Sequence, residues 1–96
     1  MPKGPTKHGR LVLRLYVAGN GPNSSRAVIN IKAICEEHFA AKHELEVVDM
    51  LKEPRRAMAD GVIVTPTLLK LSPLPIQRVI GSLSDSAQVL LALASR

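Results

Sequence analysis

A chain of 96 residues that is 46% hydrophobic with a formal net charge of +5 lies outside the low-hydropathy, highly charged class that stays unfolded, and has the size of one domain. No apolar run approaches the roughly 18 residues of a membrane helix, no hydrophobic signal core follows the basic start, and a single cysteine excludes an internal disulfide. The expectation is a soluble, cytoplasmic domain spanning residues 11–96 behind a disordered basic tail of residues 1–10.

Leu11-Val12-Leu13-Arg14-Leu15-Tyr16-Val17-Ala18 places Leu11, Leu13, Leu15 and Val17 on one face and Val12 and Tyr16 on the other. That pattern predicts a central strand covered by helices on both sides. Gly19 to Pro22 break it, and Asn23 or Ser24 is expected to cap a helix running to about Ala41. Its stripe is Ala27, Val28, Ile31, Ile34, Cys35, His38 and Phe39. Glu44 to Leu51 is expected as a second strand, parallel to the first because a helix crosses between them.

Pro54 is placed to open a short helix over Arg55 to Asp60, which Gly61 ends. Pro66 leads into a third strand, Thr67 to Leu71, and the Thr65–Pro66 bond is expected to be cis. Ser72 to Pro75 turn the chain so that Ile76 to Ile80 pair antiparallel with that strand. Ser84 is expected to cap a last helix, with Asp85 in its first turn and Ala87, Leu90, Leu91 and Ala94 as its buried face. The order βαβαββα is the thioredoxin topology.

Thr65-Pro66-Thr67-Leu68 is similar to the proline turn that lies beside a reactive thiol pair in thioredoxin-like proteins. Such chemistry needs two thiols a few residues apart, and the expected turn, Ala18 to Ser25, has none. Cys35 sits mid-helix on the apolar stripe with Glu36 and Glu37 beside it, the setting of a buried hydrophobe rather than a nucleophile. His8, His38 and His43 lack metal-ligand spacing, and Gly19-Asn20-Gly21 completes neither phosphate-loop pattern. Asp49 interrupts an apolar strand, either as a solvated edge carboxylate or, the favoured reading, as a structural acceptor for a neighbouring loop. No catalytic residue, metal ligand or cofactor site assembles. The basic residues are dispersed and stacking aromatics are missing, which disfavours nucleic acid as a partner.

Three segments, "LRLYVAGNGPNSSRAV" (13–28), "LEVVDMLKEPRRAMADGVIVTPTLLKL" (45–71) and "RVIGSLSD" (78–85), together resemble the KaiB family of bacterial circadian clocks. The resemblance implies a non-enzymatic adaptor that binds the KaiC ATPase ring. It also names a KaiA-like protein and the clock histidine kinase SasA as further partners or competitors. A thioredoxin-fold redox or glutathione-binding domain is the alternative function. The resemblance places partner binding on the second strand and the short helix, at Glu46, Lys52, Arg55 and Arg56.

The family also implies two folds: a thioredoxin-like monomer or weak homodimer, and a fold-switched tetramer with a re-wired second half. Residues bearing on that choice are Pro66, Pro73, Pro75, Ala92 and Ala94. Three departures stand out. Ser72-Pro73-Leu74-Pro75 replaces the usual triple proline, Glu46 stands where many members have lysine, and Ala94-Ser95-Arg96 stand where members carry an acidic tail. They point to partner choice different from a core clock protein's, such as a KaiC-like ATPase in a stress or signalling pathway.

Overall fold

The computed structural model describes residues 10–40 and 42–94. Its elements are β1 (Leu11–Val17), α1 (Pro22–His38), β2 (His43–Asp49), α2 (Pro54–Ala59), β3 (Thr67–Ser72), β4 (Gln77–Ile80) and α3 (Ser86–Ala94). They form one four-stranded sheet in the order β2-β1-β3-β4. β1 pairs parallel with β2 and antiparallel with β3, and β3 pairs antiparallel with β4.

The two-sided pattern of β1 sets the layers. Leu11, Leu13, Leu15 and Val17 pack with Ala27, Ile31, Ile34 and Cys35 of α1 and with Val89 and Leu93 of α3. On the opposite face Tyr16 joins Val48, Ala57, Val62 and Leu69, the smaller core beneath α2. β2 and β4 are the sheet edges, so Val47 and Ile80 remain exposed although both are strand hydrophobics.

Several boundaries differ from the sequence expectation, each for a local reason. α1 is capped by Gly21 with Pro22 in the first turn, not by Asn23 or Ser24. Proline presets the helical φ and lacks only an N–H that would have no helical partner. Ser24 is drawn inside the helix and buried, its hydroxyl accepting the Ala18 N–H at 3.3 Å. α1 also stops at His38, short of Ala41, because Phe39 leaves the helix while its N–H still bonds Cys35 O. β2 ends at Asp49 rather than Leu51. The Asp49 carboxylate accepts the Leu51 N–H at 2.9 Å, turning the chain, and the Gly19 N–H at 3.2 Å from the β1–α1 loop. Asp49 is thus the structural acceptor that the sequence favoured.

α3 carries two corrections. Its N-terminal cap is Asp85, whose carboxylate accepts the Gln88 N–H at 3.2 Å, and not Ser84. Its buried residues are Val89 and Leu93, whereas Ala87, Leu91 and Ala94 face outward. Leu90 is partly buried, as expected. A helix reading Ala-Gln-Val-Leu-Leu-Ala-Leu-Ala has too little polarity to fix its own rotation, so packing against β1 and α1 decides it.

The Thr65–Pro66 bond is cis, as are Ser72–Pro73 and Leu74–Pro75. The structure is the thioredoxin-like βαβαββα form, with residues 86–94 helical, and not the re-wired alternative. Ala92 is half-buried and Ala94 exposed on α3, while Pro73 and Pro75 lie exposed in the turn before β4. The basic tail expected for residues 1–10 lies outside the described residues except for Arg10, which pairs with Glu44 at 3.2 Å.

Candidate partner-binding surface

β1, β2 and α2 bring a group of charges together on the α2 side of the sheet. Parallel register sets Arg14 opposite Glu46, and the Arg14 Nε bonds Glu46 Oε1 at 3.1 Å. Arg56, from α2, reaches the same oxygen at 2.7 Å and Glu53 at 3.4 Å. The other arm of Arg14 bonds Asp60 Oδ2 at 2.8 Å. The Tyr16 hydroxyl lies 2.6 Å from that carboxylate oxygen and 3.0 Å from the Arg56 carbonyl. It has one proton and two acceptors, and the charged, nearer one is the stronger.

Electrostatics follow the geometry. The Arg56 guanidinium, more than the loss of solvent opposes it, holds Glu46 below the usual carboxylate range, and Arg14 adds to the effect. Burial disfavours an ionised Asp60, yet the bonds from Tyr16 and Arg14 outweigh it and its pKa is lowered. Burial, then the Asp60 carboxylate, raises the Tyr16 phenol, keeping it a donor.

The four residues singled out in the sequence do not form one basic cluster. Glu46 and Arg56 neutralise each other, and Arg56 is partly covered. Lys52 and Arg55 are exposed and make no ion pair among the described residues, so of the four they are the free positive charges. Around them Leu51 and Met58 are exposed too, at 71% and 77%. Sequence reasoning missed Arg14, Tyr16 and Asp60. A signal existed: Arg14 is a charge in an otherwise apolar strand, two residues from Tyr16 and therefore on its face.

Cys35 lies on the other side of the sheet and is fully buried in the α1 core. Burial pushes its thiol up to about 11. At pH 7.5 the folded chain is therefore expected to react with a maleimide far more slowly than the same chain in denaturant. Comparable labelling rates in the two states would contradict the burial.

This arrangement is a thioredoxin-like scaffold in which the single thiol is buried and the charged surface lies elsewhere. The family model described as the KaiB domain matches residues 14–95, and the chain belongs to the KaiB family. It is 50% identical over 82 residues to the circadian clock oscillator protein KaiB of Synechococcus elongatus, covering 85% of this chain and 80% of that relative. Among solved structures, it is similar to the N-terminal domain of Synechococcus elongatus SasA. The TM-score is 0.72 at 27% identity, with 95% of this chain and 86% of that one covered. Similarity to the germline-specific thioredoxin Deadhead of Drosophila melanogaster bears on the fold alone: TM-score 0.73 at 14% identity, covering 90% of this chain and 82% of that one. Among the described residues, no helix is long and apolar enough to cross a membrane.

Proposed function

We propose that this chain is a non-enzymatic adaptor that acts in the cytoplasm as a monomer or weak homodimer, docks on a KaiC-type ATPase ring and regulates clock or stress signalling. A KaiA-like protein or a SasA-type kinase domain would share or compete for that ring. Membership of a clock-protein family and likeness to the SasA domain support a clock-related role. The observation that carries the docking reading is the pair Lys52 and Arg55, unpaired and exposed beside Leu51 and Met58, next to charges that neutralise one another in ion pairs. Charges left free at the rim of an apolar patch steer association, and apolar anchors set residence time.

The test is co-precipitation of the full chain with a KaiC-type hexamer, loaded with ATP or with ADP. Capture that depends on the nucleotide is expected. No capture in either state would remove the reading. A redox role predicts instead a disulfide-reducing activity that disappears in Cys35→Ala, and the buried thiol argues against one.

A further inference from the structure

α2 is held to the sheet by polar bonds more than by burial. It is six residues long and buries one side chain of its own, Ala57. The core beneath it is the smaller of the two. Arg56 ties the helix to Glu46 of β2 at 2.7 Å and accepts the Tyr16 hydroxyl on its carbonyl at 3.0 Å, and a further set of bonds gathers on Asp60, just after the last turn. The carboxylate receives the Tyr16 hydroxyl and Arg14, both from the central strand. The Arg78 guanidinium, from β4, donates to the main-chain carbonyls of Asp60 at 3.1 Å and Gly61 at 3.0 Å. Gly61 follows with φ +70°, a turn that side chains rarely adopt.

We propose that Asp60 is a latch: gripped by Tyr16 and Arg14, its carboxylate fixes α2 and the turn behind it to the sheet, and without that grip residues 53–62 open as a unit while the rest of the domain stays folded. Elements with few buried apolar contacts open at lower free energy than the core they lean on. The latch stands independently of the docking reading. Where docking holds, opening displaces Arg55 and so removes the surface, which makes the latch a point of regulation.

The groups facing Asp60 are Arg14 and Tyr16 from β1, Arg56 from α2 and Arg78 from β4, with Glu46 of β2 joined through the two arginines. Because the carboxyl titrates below its unfolded value of about 3.9, its contribution is complete at neutral pH. It is lost as pH falls through the depressed folded value.

Native-state hydrogen exchange on the full chain tests the latch. The amides of Asp60, Gly61 and Val62 bond Arg56 O, Met58 O and Ala57 O. They are expected to share one protection factor, lower than that of the central-strand amides. Asp60→Asn should speed their exchange about tenfold or more, the scale of one charged hydrogen bond. Tyr16→Phe, which keeps the ring in the core, should act in the same direction. Val89→Ala, on the far face, weakens the open and closed states equally, so it should speed the central strand and leave these three amides unchanged. The latch is overturned if the three exchange at the central-strand rate in the unmodified protein. It is equally overturned if they follow Val89→Ala, or if both Asp60→Asn and Tyr16→Phe leave them unchanged.

Discussion

Leu93→Ala is expected to cost about 2–5 kcal/mol, while Leu91→Ala, two residues away, should stay within about 0.5 kcal/mol. Leu93 is 3% exposed and packed in the core shared by β1, α1 and α3, and its truncation leaves a cavity where neighbours relax only in part. Leu91 is 74% exposed and loses little on truncation. Leucine and alanine are both strong helix formers, so propensity cancels and the difference reads packing alone. Urea unfolding of the two variants measures it. Two-state stability for such a domain is on the order of 5–15 kcal/mol, so the first change is a large part of the total. Equal costs at both positions would mean that α3 is rotated from the orientation described.

The second large effect concerns docking. Reversing both free charges, Lys52→Glu with Arg55→Glu, is expected to weaken capture by a KaiC-type ring about tenfold or more at low salt. That is roughly 1.4 kcal/mol, since reversal replaces two attractions by two repulsions. The loss should shrink at high salt, where charges separated by more than about 3 Å are screened at 1 M. Arg56 is the wrong residue to reverse, because it bonds Glu46 at 2.7 Å and its loss disturbs the surface it belongs to. A glutamate there would face Glu46 and Glu53. Isothermal titration at two ionic strengths checks the prediction, with far-ultraviolet circular dichroism to confirm an intact fold. An affinity unchanged at low salt would move the docking surface elsewhere.

Glu46 also bears on partner choice. In this chain its carboxylate lies between Arg14 and Arg56, so the β2 edge presents a compensated carboxylate at this position. A partner that reads charge at this position meets no free charge there.

The order of elements, the two-sided burial of β1, the parallel pairing with β2 and the cis Thr65–Pro66 turn were legible in the residues alone. Alternation, a helical crossover and a proline motif are local properties, readable without knowing what lies across the sheet. The core position of Cys35 was legible too, since mid-helix spacing against Ile31 and Ile34 leaves it no other face. The rest depended on contacts between elements far apart in the chain. The rotation of α3 came from packing, because its own sequence is nearly uniform in polarity. Lys70, a charged residue, is 0% exposed on β3, an inner strand where its neighbours across the sheet are Leu13 and Gln77. The charge network needed contacts over long separations: Asp60 lies 46 residues from Arg14 and 44 from Tyr16, and no spacing rule links them. Basic residues adjacent in sequence were thereby divided, Arg56 into an internal ion pair and Arg55 into solvent. A helix turns successive side chains by about 100°, so neighbours in the chain face different surroundings.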